Sequence, residues 1–130
     1  MEKGIVGKIG EDIAHDYLKK KGYRTLARNY RKKYGEIDII AVAPDKTLVF
    51  VEVKTMTAST HGEGLIPEDQ MSSAKLRKSK RISQIFAASH QDLIREDKGW
   101  RIDLLSILIE VDNFGYFNKE KTQITHHENI

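Results

Sequence analysis

Residues 35–55 read GEIDIIAVAPDKTLVFVEVKT. Two short apolar runs, 37–43 and 48–53, are rich in Val and Ile and are separated by Pro44-Asp45-Lys46. This composition predicts two strands joined by a tight hairpin loop. A three-residue loop places Ala43 opposite Thr47. The same register places Asp38 opposite Glu52 and Glu36 opposite Lys54. Side chains alternate along a strand, so Glu52 and Lys54 share a face. Directly opposite Cβ atoms lie about 4.5–5.5 Å apart. Two carboxylates and an ammonium therefore meet on one face. Ile37, Ile39, Val49, Val51 and Val53 are expected on the other.

Opposed like charges repel, and a carboxylate in an apolar strand is costly unless paired or bound to a cation. Two carboxylates suit Mg²⁺, which keeps several waters and takes phosphate oxygens as further ligands. Lys54 would stand beside such a cation as a point charge. The same residues, Glu36, Asp38, Glu52 and Lys54, could instead form a purely structural cross-strand ion-pair cluster.

Asp38 followed on the next strand by Glu52-Val53-Lys54 resembles the core of the PD-(D/E)xK nucleases. More narrowly, the chain resembles a bacterial family of small endonuclease-like proteins similar to archaeal Holliday-junction resolvases. The resemblance rests on Gly10-Glu11 with Ala14 and Leu18, Gly22-Tyr23, Asn29-Tyr30-Arg31, Gly35-Glu36-Ile37-Asp38, Phe50-Val51-Glu52-Val53-Lys54 and Arg101-Ile102-Asp103. It implies an α/β, restriction-endonuclease-like fold in the order α-β-β-β-α-β, with a central mixed sheet flanked by helices. It implies Mg²⁺ or Mn²⁺ held by Asp38 and Glu52, with Glu11 as an additional carboxylate and Lys54 completing the catalytic set. It implies DNA as partner, branched or structured, and admits a homodimer. Lys75 aligns with a lysine common in that family. Where the family often has an arginine two positions after the lysine, this chain has Met56.

The chain has 130 residues, one domain's worth, with 39% hydrophobic and 32% charged residues and a formal net charge of +3. The positive charge is clustered, which matters more for partners than the total. The absence of cysteine excludes disulfides and thiolate metal sites. No apolar run suggests a signal segment or membrane span, so a cytoplasmic protein is expected.

Val6, Ile9, Ile13 and Tyr17, widened by Ala14 and Leu18, predict a helix over 4–21 that stops at Gly22. Glu11 lies at the edge of this stripe, near the small residues Gly7 and Ala14. A short strand is expected over 25–30. The basic turn Arg31-Lys32-Lys33-Tyr34-Gly35 suits phosphate contact and base stacking by Tyr34. Residues 55–67 read as a long mobile loop, with His61 and Glu63 within reach of the site. A long helix over 68–90 carries Lys75, Arg77, Lys78, Lys80 and Arg81, a face for a nucleic-acid backbone or for solvent. A buried strand follows over 101–111, with Arg101 and Asp103 bracing the active-site strands. Residues 114–117 and 122–125 are expected to form a terminal hairpin, followed by a tail at His126-His127. The pair would point to opposite faces of a strand and so make a poor metal site.

The function these features favour is a metal-dependent endonuclease hydrolysing phosphodiesters in structured or branched DNA. The alternative is a nucleic-acid-binding or protein-interaction module that has the nuclease fold without turnover.

Overall fold

A computed structural model describes residues 3–59 and 72–130. The elements run α1 (Lys3–Lys20), β1 (Arg24–Lys32), β2 (Gly35–Val42), β3 (Leu48–Ser59), α2 (Ser73–Ser89), β4 (Trp100–Val111) and β5 (Gln123–His127). The strands form one sheet in the order β1-β2-β3-β4-β5. Within it β3 and β4 are parallel, and the other neighbours are antiparallel. A parallel pair needs a long crossover, and α2 is that crossover. The result is the mixed α/β sheet between helices expected of a restriction-endonuclease-like core.

Each face of the sheet has its own core. Ala14 and Leu18 of α1 are buried against Ile39, Ala41, Val49, Val51, Leu105, Ile107 and Ile109. Ile82, Phe86 and Ala87 of α2 pack on Ile40, Val42, Leu48, Phe50 and Ile102. With both faces covered, β3 reads as a nearly continuous apolar run rather than an alternating one.

The hairpin between β2 and β3 has the expected loop. Ala43 N–H donates to the Thr47 carbonyl at 2.9 Å, and Lys46 N–H donates to the Ala43 carbonyl at 2.9 Å. Lys46 takes the left-handed conformation typical of the third residue of such a loop, with φ 78°. The ladder runs in the predicted register from Val42–Leu48 to Ile39–Val51. One face assignment is corrected: Ile37 packs on the α2 side with Ile40, away from Ile39.

α1 stops as expected. Gly22, at φ 91°, lets Tyr23 N–H return to the Leu18 carbonyl at 2.9 Å and Gly22 N–H to that of Lys19 at 3.0 Å. Gly10 sets how closely α1 crosses the sheet, since a Cβ there would collide with the Thr55 side chain.

Several expected boundaries move. β1 is longer than 25–30 and takes in Arg31 and Lys32, so only Lys33 and Tyr34 form the turn. β3 continues through Met56 to Ser59, because its parallel ladder with β4 continues to Ser59–Val111. The expected mobile loop therefore cannot begin at residue 55, and His61 and Glu63 lie outside the described residues. α2 begins after Ser72, whose hydroxyl accepts from Lys75 N–H at 3.2 Å as an N-cap. Among the described residues, 114–117 and 122–125 form no hairpin. Phe117 makes an isolated bridge to Val111, and β5 pairs with β4 instead. His126 and His127 are strand residues opposite Leu105 and Leu104, not a tail. Among the described residues, no helix is long and apolar enough to cross a membrane.

Candidate functional site

The two hairpin carboxylates converge. Asp38 and Glu52 line one cleft of about 220 Å³ with Gly35, Glu36, Val53, Lys75, Lys78 and Ser79. The cleft lies where α2 passes over the β2–β3 edge. Glu52 points to the α2 face and is only 4% exposed. Its Oε1 accepts from the Ser79 hydroxyl at 3.1 Å, and its Oε2 lies 4.0 Å from Lys75 Nζ. Asp38 Oδ2 accepts from Val53 N–H at 2.7 Å.

The electrostatics follow from that burial. Desolvation, then repulsion from Asp38, pushes the Glu52 carboxyl up to about 7, against the pull of Lys75, Ser79 and Lys54. Burial likewise raises Asp38, opposed chiefly by the Val53 N–H and Lys75. Lys54 shares this neighbourhood. The Lys75 amine against it, then partial burial, draws its ammonium below the usual range.

Glu11 reaches the same region from α1. It lines a cleft of about 420 Å³ with Val53, Lys54 and Thr55, and a second of about 640 Å³ with Lys8, Arg28, Asn29 and Arg31. Partial burial and then the Asp38 charge raise its carboxyl. Glu11 and Lys54 thus line one cleft and Asp38 and Glu52 another, with Val53 lining both.

Two expected roles change. Glu36, expected opposite Lys54, makes no ladder pair with it. The β2–β3 ladder ends before it, and its carboxylate pairs instead with Arg31 at 3.2 Å, both side chains being exposed. Lys75 belongs to the carboxylate cleft, while Arg77, Lys80 and Arg81 are exposed on α2 and Lys78 is exposed at the cleft rim. Lys32, Lys33 and Tyr34 are exposed around the β1–β2 turn, as a phosphate-contacting turn requires. Lys32 lies over the Tyr30 ring, with Nζ 5.4 Å from its centroid.

Arg101 and Asp103 brace the fold, as expected, but on the α1 side. Asp103 is fully buried. It accepts from Arg101 Nε at 2.9 Å and Asn129 N–H at 3.0 Å, and meets His126 Nε2 at 2.7 Å. Arg101 also donates to the Tyr23 hydroxyl at 3.1 Å, and Tyr17 Oη lies 3.3 Å from His126 Nδ1. Burial opposes the Asp103 charge, yet His126, Asn129 and Arg101 hold its pKa below the usual range. Ligand atoms of Asp103, His126 and Glu128 lie within 4.8 Å of one another. Arg101 already supplies the positive charge there, 3.8 Å from Glu128, so the cluster reads as a clamp on the C-terminal strand.

Sequence reasoning missed Ser79 and the roles of Tyr17, Tyr23 and His126. Ser79 could have been found from its place one helical turn after Lys75. The His126 contacts reach back 23 positions to Asp103 and 109 to Tyr17, and leave no local signal.

The fold and cleft define a class: a restriction-endonuclease-like α/β protein with a buried and a half-buried carboxylate and two lysines lining a cleft at the edge of its central hairpin. The chain belongs to the uncharacterised protein family UPF0102, which it matches over residues 10–107. It is similar to a UPF0102 protein of Alkaliphilus oremlandii, 40% identical over 125 residues and 95% of each chain. A UPF0102 protein of Caldicellulosiruptor bescii is 40% identical over 109 residues, covering 83% of this chain and 86% of the relative. One from Caldanaerobacter subterraneus subsp. tengcongensis is 43% identical over 89 residues, covering 68% and 70%.

Proposed function

We propose that this protein is a metal-dependent endonuclease of the PD-(D/E)xK type, hydrolysing phosphodiesters in structured or branched DNA. The observation that carries the reading is the convergence of Asp38 and Glu52 in one cleft, with Glu52 pushed to about 7. A buried Glu52 beside a half-buried Asp38, with Lys75 no nearer than 4.0 Å to Glu52, is short of positive charge. A hard divalent cation fits such an all-oxygen donor set.

Asp38 and Glu52 would hold Mg²⁺ or Mn²⁺, with Glu11 as the third carboxylate. When bound, the cation supplies Lewis-acid activation of water and charge stabilisation at phosphorus. Lys54 stabilises the developing negative charge on the phosphoryl oxygens, acting as a fixed positive group where charge grows in the transition state. Ser79 holds the Glu52 carboxylate in place. Lys75 neutralises part of the carboxylate charge and keeps phosphate from being repelled. Lys78, together with Arg31 and Lys32 at the end of β1 and Lys33 and Tyr34 in the turn after it, takes the flanking backbone.

The test is cleavage of linear, flapped and four-way DNA with Mg²⁺ and with Mn²⁺. Glu52→Gln is expected to abolish cut products while DNA affinity stays within about twofold, because a ligand is lost and no positive charge is removed. Equal cleavage by the variant would place the activity elsewhere. DNA binding by wild type with no product under either metal would favour the binding module without turnover.

A further inference from the structure

The cleft between α1 and β1, about 640 Å³, is lined by three cationic side chains, Lys8, Arg28 and Arg31, against one carboxylate, Glu11. Exposed pairs hold those cations. Asp12 takes Arg28 at 2.7 Å and Lys8 at 3.8 Å, and Glu36 takes Arg31 at 3.2 Å. Such pairs add little to stability, and the guanidinium fork serves a phosphate as well as a carboxylate.

The floor of the cleft is glycine. α1 carries glycine at positions 4, 7 and 10, three residues apart and so on one face of the helix. The fold accounts for only the last. A Cβ at Gly10 would collide with Thr55, whereas nothing lies within 4 Å of a Cβ built at Gly4 or Gly7. Glycine inside a helix is less stable than alanine, because it loses more backbone freedom on folding. Gly7 therefore weakens α1 with no packing reason among the described residues. Both Gly4 and Gly7 line the basic cleft, where a missing side chain lets a ligand approach the helix backbone closely. Gly7 and Glu11 also line the cleft at Lys54, so the two clefts meet along α1.

We propose that the groove between α1 and β1 holds the sugar–phosphate backbone of one DNA strand. Arg28, Arg31 and Lys8 take its phosphates, and Gly4 and Gly7 are the floor it lies against. The track runs from Arg31 at the end of β1, over Gly7, to Lys54. Three cations spread along an open trough suit a chain of phosphates better than a single small anion. α1 and α2 cover opposite faces of the sheet, so this contact lies on the other face from Lys75 and Lys78. The inference rests on the nuclease reading above and adds a second face to its DNA contact.

Anisotropy of a labelled four-way DNA, titrated with the metal-free protein over a range of salt, tests this. Asp12→Asn releases Arg28 and is expected to tighten binding. Adding Arg28→Ala to Asp12→Asn should then lower the log–log salt slope by about 0.9, the value for one lost phosphate contact. The double variant Gly4→Gln with Gly7→Gln sets two neutral side chains over the floor. It should lower the slope by at least about 0.9 as well. Its urea midpoint should be no lower than that of wild type, since both changes replace helical glycine in open space. No tightening in Asp12→Asn, or an unchanged slope on adding Arg28→Ala, would overturn the inference. So would wild-type binding by the glycine variant, or a lowered urea midpoint, which would return the glycines to the fold. If Lys78→Ala weakens binding while these variants do not, the nuclease reading stands and the DNA lies on the α2 face alone. No DNA binding by the wild-type protein would overturn both.

Discussion

The backbone N–H of Val53 donates to the Asp38 carboxylate at 2.7 Å, just beyond the last pair of the β2–β3 ladder, Ile39–Val51. Asp38 thus does with its side chain what a main-chain carbonyl does along the rest of the hairpin. One oxygen closes the sheet edge, and the other is left for the cleft.

This dual role separates two substitutions. Asp38→Asn keeps an oxygen acceptor for Val53 and removes a half-buried charge, so it should be at least as stable as wild type. Asp38→Ala leaves the Val53 N–H without its partner and should cost about 1–3 kcal/mol. Urea unfolding of both variants checks the difference. Equal stability would show that the bond contributes nothing to the fold.

Glu52 predicts a pH dependence of stability. Its carboxyl is raised from 4.5 to about 7 in the folded chain. Between those values the folded state keeps a proton that the unfolded state has lost. Stability is therefore greatest below about 4.5 and falls as pH rises toward 7. The loss is on the order of 1.4 kcal/mol for each pH unit crossed in this window, an upper bound for carboxyls that share charge. The difference in melting temperature between metal-free wild type and Glu52→Gln, followed across the same window, isolates the effect. A difference independent of pH would mean that Glu52 titrates as an ordinary carboxyl.

Gly10 should be intolerant of any side chain, because α1 crosses β3 there against Thr55. Gly10→Ala is expected to destabilise by about 1–3 kcal/mol, the usual range for overpacking. Combining it with Thr55→Gly should give less destabilisation than the two single effects added together. Additive losses by urea unfolding would show that the two positions are not in steric competition.

Lys78 and Lys80 both carry exposed charge on α2, but only Lys78 lines the cleft. They project on nearly opposite sides of the helix, since two residues span about 200° at 3.6 residues per turn. Lys78→Ala should reduce the salt dependence of duplex binding by about 0.9 in log–log slope, the value for one lost phosphate contact. Lys80→Ala should leave the slope unchanged. Equal effects would place the DNA over the outer face of α2.

The central hairpin was legible because its determinants are local. The Val- and Ile-rich runs 37–43 and 48–53 and the three-residue loop at Pro44-Asp45-Lys46 set the observed register. The α1 stripe and its Gly22 stop were readable for the same reason: helical spacing and a left-handed C-terminal residue act within one or two turns. Together these put Asp38, Glu52 and Lys54 near one another before any packing was considered.

The remainder depended on contacts between elements distant in sequence. A carboxylate replacing a backbone acceptor at Val53 leaves no periodic trace. That Lys75 turns toward Glu52 rather than outward was decided by how Ile82 and Phe86 seat α2 on the sheet. The pairing of β5 was not legible because its partner, β4, precedes it by about twenty residues, and His126 is placed by Asp103 and Tyr17 rather than by its neighbours. Sequence by itself determined the first four strands, both long helices and the set of charged residues. Tertiary packing decided which of those charges face one another, because burial and pairing are properties of surfaces brought together from separate parts of the chain.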